Sequence, residues 1–332
     1  MNDSRATDGL TKQNTGFKNT LVKPLRLTAA LAALLWGGAC AQTVGFALSY
    51  GGVLEPEVQL RDLNAGGGEF SLRVAGGIAA LEAGVNARFR SSFGPLGTLA
   101  VGAHADADVT GAFDFGVDGS GALAATGLDA SLAVFNRNPG AFSPTAAYTL
   151  GNRPFLASGV GAHFALGATR RLGRTLILEA TPSLTYLSGT GIGVGLTGRL
   201  QLRRLLESDN GALLLEANTG PGGGRAFVAA GAEYGLNRRG LPSLTAALLL
   251  GGGDAGVQPG LRASATGELS RFSYRAEVSA EPYRRDAPPY RANLALGTAL
   301  GPGALGLEFG AAPGNGFSVP PVLLRSSYAF RF

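Results

Sequence analysis

Apolar and polar residues alternate with period two through most of this chain from Val44 onward. Val44, Phe46, Leu48 and Tyr50 form one apolar set, and Leu99, Val101, Ala103, Ala105, Ala107 and Val109 form another, opposite His104, Asp106, Asp108 and Thr110. Ile192, Val194, Leu196, Leu200 and Leu202 oppose Thr197, Arg199, Gln201 and Arg203; Phe272, Tyr274, Ala276 and Val278 oppose Arg271, Ser273, Arg275 and Glu277. Successive side chains of a strand point to opposite faces, so each segment predicts a strand with one apolar and one polar face.

The pattern also survives a change of direction. Phe70, Leu72 and Val74 share the apolar face of one segment, and a two-residue turn at Gly76-Gly77 would pair Ala75 with Ile78 on the other face. That turn predicts Ala79, Leu81, Ala83, Val85, Ala87 and Phe89 on the apolar side and Glu82, Asn86, Arg88 and Arg90 on the polar side, and the sequence obeys. Short turns are marked at Ser208 to Gly211, Asn237 to Gly240 and Gly301 to Gly303. Longer breaks fall at Asn136 to Pro144, Gly220 to Gly224, Gly251 to Gly260, Glu281 to Pro289 and Ala312 to Pro321. Counting segments gives about 16 strands, with a range of about 14 to 18. Three segments set that range: Glu57 to Leu63 reads as strand or loop, Ala112 to Asp118 as a new strand or a continuation, and Thr145 to Leu150 as strand or loop.

Composition decides what such strands build. Of 332 residues, 53 are Gly and only 15% are charged, whereas a soluble domain carries about a quarter charged residues. Disorder is excluded by the Leu, Val and Phe spaced regularly along the chain. Beyond residue 41 no apolar run approaches the roughly 20 residues of a spanning helix; Ala246 to Leu250 stops at Gly. In lipid every backbone polar group must be satisfied internally, which leaves a closed barrel. The fold class is therefore all-β, a transmembrane antiparallel up-and-down β-barrel.

The last residues, Arg325 to Phe332, place Tyr328, Phe330 and Phe332 on one face and Arg325, Ser327, Ala329 and Arg331 on the other. This strand resembles the closing strand of bacterial outer-membrane β-barrel proteins of porin-like type. The resemblance implies that the terminal aromatic is read by the barrel-insertion machinery, after handling by periplasmic chaperones, and that the destination is outer-membrane lipid. It also implies an even strand number, short turns on the periplasmic side and longer loops outside. Trimeric members of that family carry a constricting loop, and no break here is long enough to identify one.

Residues 1–41 are of another kind. Lys23 to Arg26 supplies a positive region, Leu27 to Trp36 an apolar core too short to span, and Ala39-Cys40-Ala41 a cleavage site, together a secretory signal peptide. The polar stretch before Thr20 exceeds what such a region needs, so translation could start near Val22. Cys40 as a lipoprotein cysteine is disfavoured by Gly37 three positions earlier. Cleavage after Ala41 leaves residues 42–332 as a single barrel domain without Cys, and so without disulfides or thiolate metal sites. It also removes five of 28 basic residues and two of 23 acids, leaving 23 against 21. That balance gives no footprint for nucleic acid.

Candidate chemistry is sparse. His104, Asp106 and Asp108 share one face, but alternate residues of a strand lie about 6.6 Å apart, too far for a nucleophile and its base. Plain lumen lining outweighs a catalytic or metal reading of these three, and of His163. Gly193, Gly195 and Gly198 match a dinucleotide-binding spacing, but the alternation runs through them without the required helix. No catalytic set, metal or cofactor is expected. By parity the lumen-lining residues are Arg73, Glu82, Arg88, Arg90, His104, Asp106, Asp108, Glu179, Arg199, Arg203, Arg271, Arg275, Glu277, Arg325 and Arg331, joined by Asp114, Glu216, Glu233, Arg291 and Glu308. The expected function is a passive water-filled channel for small hydrophilic solutes with weak charge selectivity. The alternatives are a structural or envelope-assembly barrel with an occluded lumen and, behind it, a barrel hydrolase.

Overall fold

The computed structural model describes residues 43–65, 68–76, 81–93, 97–109, 111–123, 126–137, 148–150, 158–204, 209–220, 226–254, 256–285, 287–313 and 320–331. The signal peptide expected over residues 1–41 lies outside these described residues, as do Phe332 and the Gly77 to Ala80 part of the turn expected at Gly76-Gly77.

Eighteen strands form the described chain. They are β1 (Thr43–Tyr50), β2 (Leu54–Ala65), β3 (Gly68–Gly76), β4 (Leu81–Ser92), β5 (Thr98–Asp108), β6 (Phe113–Leu123), β7 (Leu128–Arg137), β8 (Ser158–Arg171) and β9 (Leu176–Leu187). The second half comprises β10 (Gly191–Leu202), β11 (Asn210–Asn218), β12 (Phe227–Leu236), β13 (Ser243–Gly253), β14 (Gly256–Leu269), β15 (Phe272–Ala280), β16 (Tyr290–Leu300), β17 (Gly303–Ala311) and β18 (Val322–Arg331). Each pairs antiparallel with its sequence neighbours, and β1 pairs with both β2 and β18, so the sheet closes on itself. Closure satisfies every strand edge within the ring. Eighteen strands spaced about 4.8 Å apart and tilted by about 40° give a backbone radius of ~18 Å, wide enough for water inside.

The two faces separate as the alternation predicts. Phe46, Leu48, Tyr50, Val85, Phe89, Ile192, Val194, Leu248, Leu250 and Leu324 are exposed on the outside, while the intervening positions carry the ion pairs. Phe46 stacks on Phe330 near one rim, and Phe113 on Phe115 near the other. Among the described residues no helix is long and apolar enough to cross a membrane.

Three segments differ from, or resolve, the sequence reading. Ala75 pairs with Glu82 rather than Ile78, so the β3–β4 reversal is longer than a two-residue turn. The offset between the two pairings is even, which is why the face of every β4 residue was still predicted. Gly251 to Gly260 is wall rather than a break: β13 and β14 run to Gly253↔Gly256, and Gly256 takes a φ of 83° beside the tight turn. In β2 a bulge falls between Leu60 and Leu63, with Asp62 at a φ of 61°. The extra residue switches the outward set from Val58 and Leu60 to Leu63, which makes a real strand look irregular in sequence.

Because strands alternate in direction, connections after odd-numbered strands share one rim, and both chain ends of the barrel lie at the other. The first rim carries 138–157, 219–226, 281–289 and 312–321; the second carries mostly short links such as 270–271 and 301–302.

Candidate functional site

The inner face begins at the seam where the ring closes. Glu57 on β2 receives Arg325 from β18 at 3.2 Å and Arg73 from β3 at 3.4 Å, and Arg73 also meets Glu82 on β4 at 3.3 Å. Arg325 reaches Glu57 across β1, whose inward residues there are the small Ala47 and Ser49. The Glu57 side chain is only 2% exposed. One buried carboxylate therefore ties the last strand to the second and third.

On β4 to β6 the side chains lie over glycines. A Cβ on Gly84 would sit 1.7 Å from Asp106, and one on Gly116 would sit 2.1 Å from the His104 ring. His104 and Asp106 are both buried. Asp108 closes the hairpin, its Oδ1 accepting a hydrogen bond from the Ala112 N–H at 3.0 Å. Among the described residues no group of three His, Cys, Asp or Glu is arranged to hold a metal ion. His163 shares a hydrogen bond with Thr185 at 2.8 Å.

The remaining predicted positions spread around the ring. Arg88 approaches Asp118 at 3.8 Å, Arg199 is ion-paired with Glu233, and Glu179 stands opposite Arg199 in the β9–β10 register. Arg275 pairs with Glu277. Arg90 is exposed, and Arg331 stands at the end of β18 opposite Thr43. Arg203 stands one residue beyond the end of β10, and Arg271 one residue before the start of β15. Tyr328 and Phe330 lie on the outer face, in contact with each other.

Two connections fold onto the inner wall, which the sequence did not reveal. In the β15–β16 connection, Tyr283 fills the space over Gly251 and Gly260, where a Cβ would meet its ring at 2.2 Å and 2.8 Å. It packs with Phe227, Ala229, Ala247 and Leu249 as a small apolar core inside the barrel. Arg284 lies over the Phe227 ring, 4.7 Å from its centroid. Around them Glu281 and Glu216 receive three guanidiniums: Arg262 bridges both, Arg284 meets Glu216 at 3.1 Å and Glu281 at 3.2 Å, and Arg291 meets Glu281 at 3.2 Å. All five side chains are at most 12% exposed. Burial, with the Glu281 charge beside it, pushes the Tyr283 hydroxyl up.

The second is the described part of the β7–β8 connection, Tyr148 to Leu150. Tyr148 sits on the inward Gly310 of β17, packs against Ala312 and Leu323, and donates its hydroxyl to the Pro320 carbonyl at 2.7 Å. The Leu150 N–H donates to Glu277 at 2.9 Å and Arg291 donates to the Thr149 carbonyl at 3.2 Å. In a ring of eighteen, β7 and β8 stand opposite β16 and β17, so these three residues touch the far wall from the strands they connect. Burial pushes the Tyr148 hydroxyl up to about 12. Thr145 to Leu150 is thus not a strand in its described part, and a break judged too short for a constriction places residues inside the bore.

At the opposite rim Asp209 is fully buried and accepts from Tyr234 and from Arg238, the latter at 3.2 Å. These hydrogen bonds hold its carboxyl below the usual range.

Sequence parity missed Glu57, Arg262, Glu281, Tyr283, Arg284 and Tyr148. The one available signal was the charge and aromatic density of Glu281 to Asp286 within a Pro-rich break.

No protein-family model matches the chain, and no curated protein matches it. Solved structures do. A triple mutant of the Rhodopseudomonas blastica porin is 12% identical, with 87% of this chain and 98% of that one covered at a TM-score of 0.46. A structure described as asymmetric conductivity of engineered proteins is 10% identical, covering 87% and 99% at 0.44. A bacterial polysaccharide outer membrane secretin is 11% identical, covering 87% and 98% at 0.43. Independently of those likenesses, the closed antiparallel ring of eighteen strands with an apolar outer face and an ion-paired inner face makes this chain an all-β closed barrel.

Proposed function

We propose that the protein is a passive outer-membrane channel for small hydrophilic solutes, narrowed on one side by inward-folded connections. The observation that carries this reading is the ring itself: eighteen strands enclose a bore of ~18 Å backbone radius whose wall bears ionic side chains of both signs. A wall of that kind is wetted, and its mixed charge supports only weak preference between cations and anions. Residues 1–41 would direct export, and the aromatic face ending in Phe332 would be read at insertion into lipid.

Purified protein in planar bilayers is expected to give discrete conductance steps with a reversal potential near zero in a salt gradient. Protein that inserts without ever conducting would sink the proposal. That second outcome belongs to an occluded structural barrel, which has the buried network around Glu281 in its favour.

A further inference from the structure

We propose that the inner face of β2 to β6 carries a binding niche for small zwitterions of the α-amino-acid class, which rests on the channel reading above. A cavity of about 150 Å³ opens to the bore there, between Arg61 and Arg73 on one side and Asp106 and Asp118 on the other, with Asn86 in the middle. A cavity of that volume takes a molecule of about six heavy atoms.

The local sequence explains why a hollow forms at this place. Arg61 continues the inward parity of Glu57 and Gln59 at the bulge of β2, and its Nε donates to the Gln59 side chain at 2.6 Å. In the next strands the inward positions are small: Ser71 pairs with Asn86, and Gly84, Gly102 and Gly116 alternate with the polar residues. A wall of larger residues would fill this space. Instead Asp106 and Asp118 lean onto Gly84 and Gly102, where an added Cβ would come within 1.7 Å and 2.6 Å of their carboxylates.

The charges are sorted across the hollow rather than mixed. Guanidiniums stand on β2 and β3, carboxylates on β5 and β6, and β4 contributes an amide between them. Strands β3 and β5 are about 10 Å apart, so the side chains reaching inward leave a gap of small-molecule width. Arg73 uses Nε and Nη1 on Glu57 and Glu82, and a guanidinium has five N–H donors. Asp118 meets Arg88 at 3.8 Å with one oxygen, and a carboxylate accepts at about four sites. A solute carrying ammonium and carboxylate on one carbon satisfies both sides together. An anion or a cation alone meets one matching and one repelling side. A sugar finds no Phe, Tyr or Trp face on which to stack.

The test uses the full chain in proteoliposomes, with radiolabelled L-serine, L-lactate, ethanolamine and glycerol as probes; glycerol flux on the same vesicles normalises for insertion. Serine flux is expected to saturate with concentration while the fluxes of the other three rise linearly. Arg61→Gln and Asp118→Asn are each expected to lower the serine-to-glycerol ratio at low concentration about tenfold and to make serine flux linear, since each removes one charge-assisted contact. Exchanging the two charges in Arg61→Asp with Asp118→Arg is expected to restore saturation, because a zwitterion can bind reversed. Linear serine flux through a barrel that passes glycerol, or saturation that survives both single variants, overturns the niche alone. Absence of glycerol flux overturns the channel reading and the niche with it.

Discussion

Tyr148 holds the inward-folded segment against the far wall, and removing it should widen the bore. A buried Tyr covers about 150–250 Å² of surface, and at ~25 cal/mol per Å² its docking contributes roughly 4–6 kcal/mol. The hydrogen bond to the Pro320 carbonyl adds about 1 kcal/mol. Against this stands the ordering of Tyr148, Thr149 and Leu150, at about 1–2 kcal/mol per residue. The balance is a few kcal/mol, while truncation of a buried aromatic costs about 3–5 kcal/mol. Tyr148→Ala should therefore release the segment. Tyr148→Phe, which loses only the hydrogen bond, should leave it docked. Gly310→Ala tests the same contact from the wall, because its new methyl would lie 2.6 Å from the Tyr148 ring. In single-channel recordings Tyr148→Ala and Gly310→Ala are expected to share a raised conductance, with Tyr148→Phe near wild type. The docked hydroxyl titrates near 12, above the ordinary value of 10.0, so docking is complete below pH 10 and weakens as pH rises toward 12. Wild-type conductance should then climb across that window, and Tyr148→Phe should not follow it. Equal conductance of wild type, Tyr148→Ala and Gly310→Ala would refute the constriction.

Three further outcomes follow from the buried charges. Glu57→Gln leaves Arg325 and Arg73 without their shared carboxylate and should destabilise barrel closure by about 3 kcal/mol, read as a lower temperature for the gel shift between folded and heated forms. Glu281→Gln should cost about 3–5 kcal/mol in the same assay, since it removes the carboxylate charge that Arg262, Arg284 and Arg291 all meet; no change in melting temperature would show that the network contributes nothing net. Asp209 has a depressed folded-state pKa, so its stabilisation is present above the ordinary carboxylate value of 3.8 and is lost as pH falls through the lower folded value. Wild-type melting temperature should accordingly drop more steeply below pH 4 than that of Asp209→Asn, which should start lower at pH 7.

How far the sequence reached is set by which interactions are local. A face is a parity, and parity survives errors of two or four residues in a turn; β4 shows this, its faces predicted through a turn that was misplaced. Strand number depends on turns instead. The β5–β6 hairpin, with Asp106 opposite Asp114, hides in an unbroken alternation because its short reversal keeps the same parity on both sides. The β2 bulge has the opposite effect, breaking the pattern of a strand that is present.

The bore contents were out of reach for a different reason. Nothing in the spacing of Tyr148 indicates a glycine 162 residues later on the facing wall, since that contact exists only once the ring has closed. The same holds for Tyr283 and its two glycines: each Gly reads alone as a weak strand residue, and only the β13–β14 register brings Gly251 and Gly260 under one ring. Closing the ring thus sets the outline of the bore by local alternation and its free width by a few inward side chains meeting missing ones. Evolution of solute range in such a barrel can proceed at those glycines without disturbing a strand: an inward Gly→Ala change keeps the ladder hydrogen bonds and alters only what can lie above it.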